Sequence, residues 1–175
     1  MSPISRGFLG RRPQVDATRL PPGQYLTRDF PVLSAGPTPH TPLDEWTFLI
    51  GGEVDQPVSW TWEELLALPV ETPTVDIHCV TKWSKLDTRW KGVSLDTLLE
   101  NVETEAEYVT AWSDGGYTTN LPLEDVTDGK AWIAYEVLTA SGEPARLSAP
   151  WPPRPRCRLS IYDVANLQHG FTPTG

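Results

Sequence analysis

Val75-Asp76-Ile77-His78-Cys79-Val80-Thr81-Lys82-Trp83-Ser84 joins a β-branched run to a lone cysteine and a polar, aromatic turn. Val75 and Ile77 alternate with polar residues, which reads as a short strand with Cys79 at its end. A cysteine in that setting can be a small buried core residue, a nucleophile or a thiolate ligand to a metal. What the protein does turns on which of the three holds.

The pattern on either side is β-rich with short helices. Upstream, Trp46-Thr47-Phe48-Leu49-Ile50-Gly51-Gly52 reads as a strand ending in a glycine turn. Thr61-Trp62-Glu63-Glu64 is a capping box, with Thr61 at the N-cap and Glu64 three residues on. Leu65, Leu66 and Leu68 follow, and Pro69 limits that helix to about two turns. Downstream, a second short helix begins at Ser94, with Leu95, Leu98 and Leu99 on one face. Tyr108 to Ser113 and Tyr117 to Leu121 read as strands joined by the Asp114-Gly115-Gly116 turn, and Ala131 to Leu138 as another strand.

With 175 residues, 18 prolines, 13 glycines and 8 tryptophans, the chain predicts one α+β domain built on a mixed sheet, not a helical bundle. Residues 1–42 read as a proline-rich N-terminal arm, 43–147 as the domain and 148–175 as an atypical tail. The net charge of −9 is uneven: residues 1–28 hold +4, residues 29–145 hold −16 and residues 146–175 hold +3. An acidic body of this kind disfavours general nucleic-acid binding, which depends on neutralising phosphates. No stretch approaches the roughly 20 apolar residues of a membrane span. Two cysteines, Cys79 and Cys157, make no disulfide framework, and Pro13-Gln14-Val15-Asp16 after Arg11-Arg12 is no export segment. A reducing, cytoplasmic setting is the expectation.

Several chemistries lack their residues. There is no glycine-rich phosphate loop, no His-Glu-x-x-His helix and no Cys-x-x-Cys pair. A cysteine hydrolase needs a histidine base, and only His40, His78 and His169 are available. His78 adjoins Cys79, and neighbours along a strand face opposite ways. It can be a satisfied histidine of the sheet or a hydrogen-bond donor to a ligand.

The run from Asp76 to Ser84, followed by Trp90-Lys91-Gly92-Val93-Ser94-Leu95, resembles the sulfite oxidase-type molybdopterin-dependent oxidoreductases. Further similar motifs follow in the same order: Trp112-Ser113-Asp114-Gly115-Gly116-Tyr117-Thr118-Thr119, Ala134-Tyr135-Glu136-Val137-Leu138 and Gly142-Glu143-Pro144-Ala145-Arg146-Leu147. The resemblance covers roughly residues 25–150 and implies the molybdopterin-binding fold of that family. It implies a molybdenum–molybdopterin cofactor with Cys79 as the metal ligand and catalytic residue. A soft thiolate suits molybdenum, and a pterin dithiolene supplies the other sulfurs. The same resemblance places Arg28, Phe30, His78, Ser113, Asp114 and Arg146 at the cofactor. Arg146 would meet its anionic end, where a guanidinium suits a phosphate. The implied reaction is a two-electron oxygen-atom transfer on a small-molecule substrate. No haem or iron–sulfur motif is present, so a separate electron-transfer partner is expected.

The resemblance breaks after Leu147. Members of the family continue into a Val-Pro-x-x-Tyr-x-Trp-Lys-Ser-x-Lys-Trp stretch, whose lysine and backbone amides help hold the pterin phosphate, and then a final strand. Here Pro150-Trp151-Pro152-Pro153-Arg154-Pro155-Arg156-Cys157-Arg158 has no periodicity. A shifted reading frame or truncation would produce such a tail, leaving a sheet edge or half the phosphate site missing and Cys157 without a role. A domain that keeps the fold without its cofactor, serving as a binding module, is the competing reading; a cysteine hydrolase is the third.

Overall fold

The Thr61 hydroxyl accepts the Glu64 amide at 3.3 Å while the Glu64 carboxylate accepts the Thr61 amide at 2.8 Å, so two otherwise unpaired donors are met reciprocally. This capping box starts α1 (Trp62–Ala67) where the sequence places it. Ser94 does the same for α2 (Leu95–Leu99), its side chain accepting from the Asp96 amide. Both helices turn Leu65, Leu95 and Leu98 into the core. A computed structural model describes residues 17–28, 30, 41–113, 116–145 and 157–162.

The strands are β1 (Tyr25–Leu26), β2 (Thr47–Gly52), β3 (Val58–Thr61), β4 (Thr74–His78), β5 (Trp83–Ser94), β6 (Tyr108–Ser113), β7 (Thr118–Pro122), β8 (Trp132–Leu138) and β9 (Cys157–Tyr162). They form two sheets. In the first, β5 pairs antiparallel with β4 and β8 and parallel with β1. In the second the order is β3-β2-β9-β6-β7, with β9 parallel to β2 and antiparallel to β6. Parallel and antiparallel pairs thus mix in each sheet, and the expected α+β class with short helices holds.

One apolar cluster draws on both sheets: Phe48 and Ile50 of β2, Val109 of β6 and Leu159 of β9 pack with Val93 of β5 and Tyr135 of β8. Phe48 and Ile50 are two apart, the period that sends alternate side chains to one face. Trp62 of α1 meets Trp46 edge-on at 5.2 Å and Tyr135 at 5.7 Å, tying the helix to both layers.

Two expectations change here. The tail does not leave the sheet short: β9 comes from it and lies inside the second sheet between β2 and β6. Apolar burial explains this, because Leu159 carries the tail into the common core. The N-terminal arm, read as separate from the domain, also joins the first sheet. Its Tyr25 and Leu26 pair with Trp83 and Ser84 as an added parallel strand at the start of β5.

Candidate functional site

β4 ends at His78, and Cys79 lies just past it, directly before the three-residue hairpin loop 80–82 that leads into β5. The Lys82 amide donates to the Cys79 carbonyl at 3.0 Å, and the Cys79 amide donates to the Trp83 carbonyl at 2.9 Å. Lys82 closes the loop at φ 72°, the left-handed conformation that a three-residue hairpin loop requires. The backbone of Cys79 is therefore held on both sides, and Val80 beside it is 95% exposed at the tip.

The Cys79 thiol is half-buried, with Sγ 3.2 Å from the Thr81 hydroxyl. The Thr81 hydroxyl and then the Thr81 amide hold the thiol below its ordinary pKa. Partial burial opposes them, and the Val80 amide adds a smaller lowering. The shift is toward the thiolate, the form that binds metals. Basic residues are also concentrated along the chain from this loop into β5. Of the five lysines and arginines between residues 29 and 145, four lie within ten positions: Lys82, Lys85, Arg89 and Lys91.

His78 does not meet the thiol. Its Nδ1 lies 2.8 Å from the buried Ser84 hydroxyl, across the β4–β5 pair. Among the described residues the partner of the Cys79 sulfur is Thr81, so a Cys–His nucleophile pair has no geometry to rest on.

Phe30 packs edge-on against Trp90 at 5.8 Å and Trp83 at 6.4 Å. The Lys85 ammonium sits 5.0 Å over the Phe30 ring and donates to the Arg28 carbonyl. Arg28, Phe30, His78 and Cys79 therefore share one neighbourhood, organised by Trp83, Ser84 and Lys85 at the start of β5. Ser113 ends β6 in the other sheet, where its hydroxyl donates to the Tyr117 carbonyl at 3.3 Å within its own hairpin. Asp114 and Arg146 lie outside the described residues.

Gln24, Thr81 and Ser84 are the site residues that sequence reasoning missed. The available signal for Gln24 was the Pro21-Pro22-Gly23 turn directly before it. For Ser84 it was a small polar residue at the start of a long strand, where burial demands a partner.

A metal held here needs ligands beyond the protein. No three His, Cys, Asp or Glu residues cluster among the described residues, which leaves one soft sulfur as the donor. That donor set fits a group bringing its own sulfurs. The buried indole N–H of Trp83, whose carbonyl closes the Cys79 loop, has no acceptor among the described residues. An unmet buried donor costs about 1–3 kcal/mol, so a group carrying acceptors fits this neighbourhood.

Residues 35–153 match the family described as the oxidoreductase molybdopterin binding domain. The uncharacterized oxidoreductase YuiH of Bacillus subtilis (strain 168) is 38% identical over 141 residues, 78% of this chain and 70% of that protein. The sulfane dehydrogenase SoxCD from Paracoccus pantotrophus superimposes with a TM-score of 0.53 at 21% identity. That match covers 72% of this chain and 40% of the SoxCD chain, a likeness of fold.

Proposed function

Because the chain belongs to the oxidoreductase molybdopterin-binding family, whose cofactor is molybdenum bound to molybdopterin, we propose that Cys79 is the protein's ligand to the metal. The single observation that carries this reading is the Cys79 thiol, half-buried on a loop fixed at both backbone ends and biased toward thiolate by Thr81. Bound there, the cofactor supplies two-electron oxidation or reduction coupled to oxygen-atom transfer.

The chain's own residues bind and orient. The Thr81 hydroxyl, 3.2 Å from Cys79 Sγ, stands where it can donate to a thiolate. Phe30 packs edge-on against Trp83, the residue that follows the loop, and Arg28 precedes Phe30 on the same segment. His78 stands at the end of β4, with Nδ1 committed to Ser84. Ser113, Asp114 and Arg146 complete the cofactor-binding set in this reading. The lysines and arginine of β5 favour an anionic group by simple charge attraction.

The substrate is a small molecule, and a separate electron carrier takes up or returns the two electrons. Nucleic acid is not a partner in this reading, and the setting is the cytoplasm. Among the described residues no helix is long and apolar enough to cross a membrane.

Elemental analysis of protein made in a molybdenum-replete host tests the assignment, for the wild type and Cys79→Ala. Near-stoichiometric molybdenum that disappears in the variant supports it. Wild-type protein without molybdenum, or a variant that keeps it, overturns it.

A further inference from the structure

We infer that Gln24 is a positioning residue for Cys79, reaching the site from a segment ahead of residues 35–153, the stretch that matches the family. The inference rests on Cys79 being the metal ligand.

A tight turn delivers Gln24. Its amide donates to the Pro21 carbonyl at 3.1 Å, with Gly23 at φ 78°, so Pro22 and Gly23 occupy the two central positions of a type II turn. Immediately afterwards the Tyr25 amide donates to the Lys82 carbonyl at 2.9 Å and the Thr27 amide to the Ser84 carbonyl at 2.8 Å. The backbone on both sides of Gln24 is thus fixed, and its side chain crosses to the hairpin loop.

There the amide makes two bonds. Gln24 Nε2 donates to the Cys79 carbonyl at 3.3 Å, and Gln24 Oε1 accepts the Ser84 hydroxyl proton. The reverse amide orientation would set Oε1 against the Cys79 carbonyl, acceptor against acceptor, so the arrangement has one sense. It also determines the next link. Ser84 has one proton and gives it to Gln24, so its oxygen accepts from His78 Nδ1–H. A directed chain runs from His78 through Ser84 and Gln24 to the carbonyl of Cys79, the neighbour of His78 in sequence. Ser84 is fully buried, which makes each bond in the chain costly to leave unmade. The Cys79 carbonyl accepts from Lys82 within the loop and from Gln24 outside it. Gln24 thus ties the loop to another segment through its side chain.

Gln24→Glu tests this in the full-length chain. It keeps the length and the acceptor for Ser84 but replaces the donor facing Cys79 with an acceptor. Amide hydrogen exchange should then run about fivefold faster in the peptide holding Cys79 and Lys82, the population change of one typical hydrogen bond. Peptides from β2 and β6 should exchange as in the wild type. Unchanged exchange in the loop, or equal acceleration in β2 and β6, overturns the inference. In protein loaded with cofactor, the sulfur-to-metal absorption band should shift in Gln24→Glu and stay in place in Thr61→Ala, which weakens a distant helix cap. An unshifted band in Gln24→Glu overturns it as well. Wild-type protein that takes up no molybdenum defeats the functional reading instead, and the exchange comparison still decides whether Gln24 holds the loop.

Discussion

Ile50 of β2 and Leu159 of β9 stand opposite each other in parallel register, both buried in the core shared by the two sheets. Residue 159 belongs to a segment whose approach, Pro150 to Arg156, carries none of the usual marks of a strand. Leu159→Ala should cost about 2–5 kcal/mol, as large-to-small changes at packed sites do. A chain ending before Cys157 should lose cooperative unfolding, since β2 and β6 would face each other across a missing strand. Urea denaturation measures both, and a wild-type midpoint in either would contradict the placement of β9.

Gly92 of β5 should not tolerate a side chain. A Cβ there would lie 2.5 Å from the Ile133 carbonyl oxygen and 2.8 Å from the Ala134 Cα, both backbone atoms of β8 that cannot swing aside. Gly92→Ala should destabilise by about 1–3 kcal/mol, the usual cost of overpacking. Gly51→Ala is the control, because its Cβ would meet only the Pro57 Cβ, at an ordinary 3.8 Å. Equal thermal midpoints for the two variants would refute the close approach.

Arg19 clasps the N-terminal segment to the β4–β5 hairpin, with its guanidinium 2.6 Å from Asp76 and 2.7 Å from Asp87. The Arg19 hydrogen bond, then the Asp87 amide, hold the Asp76 carboxyl below the usual carboxylate range. A depressed folded pKa means that this stabilisation is present above the unfolded value, near 3.9, and is lost as pH falls below it. Asp76→Asn should therefore lower the thermal midpoint at neutral pH, and its gap from wild type should close below about pH 4. A gap that stays constant across that range would exclude the clasp. Arg19 is exposed and Asp76 only half-buried, so solvent screens the pair and the gap should be small.

Lys82 holds φ 72° without being glycine. Lys82→Gly should relieve the left-handed backbone and stabilise by ~0.5–1 kcal/mol, whereas Lys82→Val should destabilise. Chemical denaturation of the two variants checks the order, and the reverse order would show that the loop relaxes freely.

The helices and most strands were legible because their causes are local. Thr61 and Glu64 cap one helix within four residues, and Ser94 opens the other just before its apolar face. Phe48 and Ile50 display the strand period in β2. Cys79 was legible for the same reason, as the residue that follows a β-branched run. β9 was obscured by its approach. In hindsight Leu159 and Ile161 alternate with Arg158 and Ser160, but the prolines and arginines before them hide the pattern.

The sequence by itself determined the β-rich class, the two capped helices, the family resemblance and the position of the cysteine, all properties written within a few residues or in ordered motifs. Only the tertiary structure decided that the tail supplies an inner strand, that His78 answers to Ser84 and not to the thiol, and that Gln24 reaches Cys79. The reason is physical. Gln24 and Cys79 are 55 residues apart, and a hydrogen bond over that separation leaves no periodicity or spacing in the chain. It exists because β1 pairs with β5, which brings the Gln24 amide within reach of the buried Ser84 hydroxyl and the Cys79 carbonyl.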